Sequence, residues 1–247
     1  MNPLFENAVD SLQTGMQFFL DKRPKFAILL VFHSIELLLK ELLSRQHPVL
    51  IYRNIDKKIT DDSQTVGLAE TLVRFQNLGV TLTKQEQETL KTLQRRRNRI
   101  EHHSYESEAD DHDTLGQSLK FIMSFVVTHL HDELGKHIDE SSLHEIEKII
   151  LSYDERLAVA NHEFEQWAEK AYDGGFESDD FRGTVDCPVC SQTLLILDEP
   201  TKGNYCFFCR AEVNAVECDH CGCTFLPQNE GDNVCDFCAA YAGDEDA

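Results

Sequence analysis

The chain has 247 residues, of which 41% are hydrophobic and 27% charged, and this composition predicts one or two globular domains with enough apolar material for a core. Its formal net charge of −21 excludes a generic, non-specific nucleic-acid coat, whose field has to attract phosphate. The charge is uneven: residues 1–136 carry 17 basic and 19 acidic side chains, whereas residues 137–247 carry 6 and 25. Two regions with different electrostatics are therefore expected.

The sequence indicates a cytoplasmic protein without a membrane segment. Met1-Asn2-Pro3 leads into an amphipathic stretch, without the basic start and small-residue cleavage site of a secretory signal. The most apolar window, residues 26–43, predicts a buried helix rather than a membrane span because four polar residues interrupt it. These are His33, Glu36, Lys40 and Glu41. In a reducing compartment, paired cysteines are expected to bind metal rather than to form disulfides.

Apolar residues at helical spacing predict that residues 1–136 form an antiparallel helical bundle. The expected helices cover about 4–20, 24–43, 66–78, a segment that opens at Thr83, and 113–134, where Gly135 stops the last one. The second helix is apolar nearly all round, so it should lie at the centre. Thr83-Lys-Gln-Glu86 is a capping-box pattern, and the helix that it opens should carry Leu90, Leu93 and Ile100 on one face.

The acidic segment 137–172 is expected to form a long helix that packs on this bundle. Ser142-Leu-His-Glu145 is a second capping box, which predicts where the helix begins. Residues 173–184 contain Gly174-Gly175 and several acidic residues with little apolar material, and they are interpreted as a linker. Residues 185–247 are rich in cysteine and turns. The predicted fold class is therefore mainly α, with a small metal-bound β region at the end.

All nine cysteines lie in this last region, and eight of them form pairs with two-residue spacing. The pairs are Cys187/Cys190, Cys206/Cys209, Cys218/Cys221 and Cys235/Cys238. Two such pairs can close the tetrahedral shell of one Zn²⁺. Gaps of 15 residues in the first two pairs and 13 in the last two suit a short hairpin, which predicts two tandem zinc ribbons. Four thiolates leave no open position, so both Zn²⁺ ions are expected to be structural and neither catalytic.

Two alternatives stay open in the cysteine region. An interleaved arrangement joins the first pair to the third and the second to the fourth. Cys223, together with His220, competes for a ligand position, although a free thiol is the expectation. Aromatic residues are frequent here, but Lys202 and Arg210 are the only basic residues past Arg182, which favours packing or a protein partner over phosphate binding.

The helical part contains one dense basic cluster, residues 95–103, with the sequence Arg-Arg-Arg-Asn-Arg-Ile-Glu-His-His. On an ideal helix one face is shared by Arg95, Asn98, Arg99 and His102. Arg97 falls instead on the stripe of Leu90 and Leu93, where an arginine needs a partner. The second helix offers a polar stripe of His33, Glu36 and Lys40. A contact between Glu36 and Arg97 is therefore expected.

Residues 97–102, Arg-Asn-Arg-Ile-Glu-His, resemble the motif of the HEPN domains. In that motif an arginine, usually followed by a polar residue such as Asn, precedes a histidine with four to six residues between them. These domains also often carry a Glu on an earlier helix, followed four residues later by Lys and then an acidic residue. Glu36-Leu-Leu-Leu-Lys40-Glu41 fits this pattern, with Glu where Asp is usual. The resemblance covers about residues 1–135.

The resemblance implies a metal-independent endoribonuclease that dimerises and places two copies of the motif in one cleft. The RNA 2′-hydroxyl would attack its own phosphodiester, leaving a 2′,3′-cyclic phosphate and a 5′-hydroxyl. His102 would move or orient protons, because imidazole titrates near neutral pH, and Arg97 would stabilise the transition state. Asn98 would position His102 or a phosphate oxygen. The RNA-binding or supporting residues would be Arg95, Arg96, Arg99, His103, Glu36 and Lys40.

Two details of the motif bear on this implication. Arg97 and His102 are about 140° apart on an ideal helix, so a bend or a two-fold partner's copy is expected to bring both to one phosphate. His103 is the alternative histidine. In one HEPN branch a nucleotidyltransferase partner modifies a Tyr two residues past the His. Here Tyr105 lies two residues past His103 but three past His102.

The sequence therefore predicts a HEPN-like ribonuclease whose zinc ribbons sense, recruit or restrain, in a bacterial defence or toxin-like response. The defence role comes from family analogy alone. The alternative is a non-catalytic dimeric adaptor whose ribbons bind a protein partner, which the acidity of the second half favours mildly. A nucleic-acid-binding regulator that works through the ribbons is disfavoured by their lack of basic residues.

Overall fold

The computed structural model describes residues 3–102, 109–173, 184–190, 192–199, 203–227 and 231–242. The chain divides into two compact units, Met1–Asp154 and Glu155–Ala247. The described helices are α1 (Pro3–Leu20), α2 (Pro24–Gln46), α3 (Leu68–Asn77), α4 (Lys84–His102), α5 (Ala109–Leu130), α6 (Glu140–Asp173) and α7 (Asp236–Ala242). The described strands are β1 (Leu195–Glu199), β2 (Gly203–Cys206), β3 (Val216–Glu217) and β4 (Thr224–Phe225). The boundary between the units falls inside α6, and most of the expected linker, residues 174–183, lies outside the described residues.

The first unit is built around α2, as its nearly uniform apolar sequence predicts. This helix contacts α1, α3, α4 and α5, and its buried side chains cover most of its circumference apart from the side of His33, Glu36 and Lys40. Its approach to α1 is close at Gly15, where an added Cβ would lie 3.2 Å from the carbonyl oxygen of Ala27 and 3.2 Å from Cγ2 of Val31. A larger residue at position 15 would push the two helices apart.

The capping box at the start of α4 is confirmed. The backbone N–H of Thr83 donates to Oε2 of Glu86 at 2.7 Å, and the N–H of Glu86 donates to Oγ1 of Thr83 at 3.2 Å. These two bonds satisfy donors that the first turn of a helix leaves without intrahelical partners. Leu90, Leu93 and Ile100 are all buried, so the predicted apolar face of this helix is also confirmed.

The predicted end of α5 near Gly135 is wrong, because the helix stops at Leu130 and only a short 3₁₀ turn covers Leu134–Lys136. His131 adopts a left-handed backbone with φ of 52°, which ends the α-helical path. Arg45 of α2 donates through Nη1 to the carbonyl oxygen of Leu130 at 2.5 Å. A side chain from another helix therefore satisfies the end of α5.

The long acidic helix begins slightly earlier than predicted, at Glu140 instead of Ser142. Asp139 caps it, accepting the Ser142 N–H at 2.9 Å and the Ser142 hydroxyl at 2.7 Å. These bonds hold the pKa of Asp139 below its usual value. The first half of α6 packs on the bundle, where Ile146 and Ile149 join the core. At Gly116 of α5 an added Cβ would meet Cβ of Tyr153 at 2.7 Å, so only glycine permits this approach.

The second unit contains the remainder of α6, two antiparallel two-stranded sheets and α7. The β1–β2 hairpin lies between Cys190 and Cys206, as the ribbon prediction requires. In the second cysteine group the predicted position of the hairpin is wrong. There β3 and β4 flank the Cys218–Cys221 turn, with Glu217 opposite Thr224, and the last pair lies at the start of α7. The two groups therefore differ in fold although the spacing within each cysteine pair is the same.

Candidate functional site

Cys187, Cys190, Cys206 and Cys209 form one group whose four sulfur atoms all lie within 4.8 Å of one another. Sγ of Cys187 lies 3.7 Å from Sγ of Cys209, and Sγ of Cys190 lies 3.7 Å from Sγ of Cys206. Tetrahedral sulfur ligands at the usual Zn–S distance of about 2.3 Å are separated by about 3.8 Å. The spacing is far longer than the roughly 2 Å of a disulfide bond. The donor set and its geometry therefore fit a metal ion.

Cys218, Cys221, Cys235 and Cys238 form the second group, again with all sulfur atoms within 4.8 Å. Sγ of Cys221 and Sγ of Cys235 are 3.8 Å apart. The backbone N–H of Cys235 donates to Sγ of Cys218 at 3.4 Å, and this bond is the main cause that lowers the pKa of the Cys218 thiol to about 6. A lowered pKa favours the thiolate, the form that binds metal. The pairing in both groups is sequential, so the interleaved arrangement is wrong.

The two groups differ in exposure. Three of the four cysteines in the first group are buried, whereas Cys221 of the second group is exposed. Cys223 and His220 belong to neither group. The carbonyl oxygen of Cys223 accepts the N–H of Cys218 at 2.8 Å, so this residue supports the turn through its backbone.

The first cysteine group is packed against the second half of α6. Phe207, the residue after Cys206, is buried, and its ring centroid lies 5.8 Å from that of Phe164 and 6.0 Å from that of Trp167. Arg210 reaches back to the same helix and pairs with Glu163 at 2.5 Å. Much of the aromatic character of this region therefore serves packing within the chain.

The basic cluster lies at the end of α4, and the face predicted from helical spacing is exposed. Arg95, Asn98, Arg99 and His102 all lie at the surface, with 68% of the His102 side chain accessible. Nε and Nη2 of Arg95 approach the Lys91 carbonyl oxygen at 3.4 Å and the Thr92 hydroxyl at 3.3 Å. The exposed face therefore presents cations, an amide and an imidazole together. His103 and Tyr105 lie outside the described residues.

Arg96 points into the bundle. Its guanidinium pairs with Asp111 of α5, with Nη2 at 2.5 Å and Nε at 3.1 Å from the same carboxylate oxygen. The Asp111 side chain is fully buried, and 12% of the Arg96 side chain is accessible. Burial raises the pKa of Asp111, and the neighbouring Arg96 opposes this rise. Arg96, expected among the RNA-binding or supporting residues, thus joins α4 to α5.

Arg97 lies between α2 and the surface. Its guanidinium carbon is 5.7 Å from the centroid of the Phe32 ring on α2. Its Nη2 lies 3.0 Å from Oε2 of Glu101, one turn further along α4. Nε2 of His102 lies 3.8 Å from the same Oε2 atom. Arg97 and His102 therefore reach one anionic oxygen on a single helix, although their backbone positions are about 140° apart.

The expected contact between Glu36 and Arg97 is not formed, since no ion pair among the described residues joins them and Arg97 pairs with Glu101 instead. The polar stripe of α2 is nevertheless partly accessible: His33 is exposed, and Glu36 and Lys40 are half-buried. Lys40 donates to Oγ1 of Thr65 at 3.2 Å. In this structure Lys40 therefore contacts the loop before α3.

Glu101 and Asp111 were missed by reasoning from the sequence. Glu101 stands four residues after Arg97, the spacing of an ordinary helical ion pair, and this signal could have identified it. Asp111 sits among other acidic residues, so nothing local distinguishes it. Its role depends on the packing of α5 against α4.

Comparisons with protein-family models, with curated proteins and with solved structures found no match. The described helices include none that is both long and apolar enough to cross a bilayer.

Proposed function

We propose that the chain is a HEPN-type endoribonuclease that cleaves RNA without a catalytic metal and carries two structural Zn²⁺ ions. The observation that supports this most is that Arg97 and His102 both reach Oε2 of Glu101, at 3.0 and 3.8 Å. The Arg97 guanidinium, which pairs with this carboxylate oxygen, can also pair with a phosphate oxygen, and His102 lies beside that position. The exposed Asn98 and Arg99 supply further contacts for the same polyanion.

Each residue of the proposed site has a role in RNA cleavage that follows from the chemistry of its side chain. Arg97 neutralises charge that develops on the phosphate, and Phe32 beneath its guanidinium limits the orientations that it can take. His102 takes the proton of the attacking 2′-hydroxyl or gives a proton to the leaving 5′-oxygen. Asn98 orients a phosphate oxygen or His102. The resemblance to HEPN domains also implies a homodimer, in which a second copy of the motif enlarges the RNA-binding surface.

The two cysteine groups are proposed to bind zinc for stability. When bound, each ion would offset part of the charge of the four converging thiolates and would close a small fold that has little core of its own. Bacterial defence or a toxin-like response is the proposed setting, by analogy with the family. The zinc-bearing unit then senses a trigger or holds a protein partner.

The test is cleavage of RNA by the purified chain in EDTA. Products should end in 2′,3′-cyclic phosphate, and a substrate with 2′-deoxyribose at the cleaved position should be inert because it lacks the nucleophile. Arg97→Ala and His102→Ala should each lower the rate by about 100-fold or more, the scale for loss of one transition-state donor.

Lys91→Ala is the matched control, because it removes an exposed cation from the same helix outside the cluster. Its rate should stay within about threefold of the unchanged protein, as expected for a surface charge outside the reacting centre. Cleavage that needs Mg²⁺ and leaves a 3′-hydroxyl would refute the mechanism. Absence of cleavage by the zinc-loaded protein on every RNA, with cellular extract added to supply an activator, would favour the non-catalytic adaptor.

A further inference from the structure

Glu101 is the one carboxylate in the basic segment 95–102, and it lies against both residues to which the reaction is assigned. Its side chain is 31% accessible, beside an Arg97 side chain that is 37% accessible. Asp111, the carboxylate that pairs with Arg96 of the cluster, is fully buried. Within the described residues 95–102, Glu101 is thus the negative charge that an incoming phosphate meets at the surface.

The contacts of Arg97 leave a defined place for an anion. Phe32 lies beneath the guanidinium, and Glu101 accepts at Nη2. Among the ion pairs of the described residues, Nε2 of His102 is paired with this same Oε2 atom of Glu101, at 3.8 Å. A phosphate oxygen that binds Arg97 and His102 together therefore needs the place that Oε2 of Glu101 holds.

We infer that Glu101 is an internal competitor of the RNA phosphate: its carboxylate occupies the anion position between Arg97 and His102, and RNA binds there by displacing it. This inference rests on the proposed function, since it takes the same site as the RNA-binding site. An exposed ion pair between residues four apart is weak enough for a phosphodiester to break.

The experiment measures binding separately from cleavage, with a short single-stranded RNA that carries 2′-O-methyl groups throughout and cannot be cleaved by 2′-hydroxyl attack. Fluorescence anisotropy at fixed salt gives the dissociation constant. Glu101→Gln should bind this RNA between about twofold and fivefold more tightly, the range that an exposed ion pair is worth. Glutamine keeps the size of the side chain while removing its charge.

Glu88→Gln is the matched control. It removes the same charge from the same helix, where Glu88 pairs with Lys91 at 2.7 Å, away from the cluster. Screening at physiological salt should leave its affinity within about 1.5-fold of the unchanged protein. A comparison of Arg97→Ala with the double variant Arg97→Ala/Glu101→Gln then tests whether Glu101 acts through Arg97. The double variant should bind the RNA no more tightly than Arg97→Ala, because the competition requires Arg97.

Equal gains in Glu101→Gln and Glu88→Gln, or a gain that persists without Arg97, would overturn the inference while leaving cleavage by the unchanged chain as evidence for the proposed function. If Glu101→Gln shows the expected gain in RNA affinity but the unchanged protein cleaves no RNA, the result would support competition at Arg97 and contradict the proposed ribonuclease activity. Failure of every variant to bind the methylated RNA would overturn both.

Discussion

The Asp111 carboxylate is fully buried beside the Arg96 guanidinium, and this arrangement makes the first unit sensitive to one substitution. Asp111→Ala should lower the free energy of unfolding by about 3 kcal/mol, because it removes the counter-charge from a buried arginine. Urea unfolding followed by circular dichroism measures the change. The exposed pair between Lys120 and Asp154 is the control, and Asp154→Ala should cost less than about 1 kcal/mol. A similar small loss for both variants would contradict the prediction.

The basic cluster also shows what helical spacing alone cannot predict, namely which arginine is buried. Helical spacing correctly predicted that Asn98 and His102 share one face, because the angle between residues is fixed by the helix alone. It assigned the inward position to Arg97, whereas Arg96 is the more buried of the two side chains. The choice depends on Asp111, which a separate helix supplies.

At the scale of secondary-structure elements, the second half of α6 and the first cysteine group stabilise each other. Trp167, the only tryptophan in the chain, packs on Phe207, which follows Cys206. Removal of metal from the first group should free Phe207, shift Trp167 emission to longer wavelength and reduce helical circular dichroism. Cys218→Ser, which damages the second group, should leave Trp167 emission unchanged. An identical spectrum in the metal-free and metal-bound protein would show that the packing does not depend on metal.

Element boundaries were predicted well where the determining bonds are local. The start of α4 follows from Thr83 and Glu86, which are three residues apart. The end of α5 was misplaced because Gly135 is a strong local signal, whereas the actual stop combines a left-handed His131 with a bond from Arg45. Nε of Arg45 lies 2.8 Å from Oε1 of the buried Glu41. Both residues belong to α2, so the end of α5 depends on a different helix.

At the scale of the whole chain, the two cysteine groups share no ligand, so they should lose metal separately. Elemental analysis of the unchanged protein should give two zinc ions per chain. Cys187→Ser and Cys218→Ser should each leave one ion after dialysis against a chelator, because three thiolates bind more weakly than four. Cys223→Ser should keep both ions. One ion or none in the unchanged chain would contradict this prediction.

The sequence predicted which cysteines form the pairs and how the charge is divided, since spacing and composition decide both. It could not decide between sequential and interleaved pairing, because each satisfies the same tetrahedral shell. It also placed a hairpin in the 13-residue gap between Cys221 and Cys235, because that length suits one. The actual hairpin surrounds Cys218 and Cys221, and the start of α7 provides the last pair.

Sequential pairing also has a consequence for synthesis on the ribosome. The ligands of the first shell, which end at Cys209, all leave the exit tunnel before any cysteine of the second group does. Each site closes a short loop, so the entropy lost on closure is smaller than for interleaved pairs that span both groups. The nascent chain can thus take up its ions one after the other. A nascent chain that has emerged only as far as Cys209 can therefore hold a closed first site, whereas interleaved pairing would leave its four thiols without a complete shell.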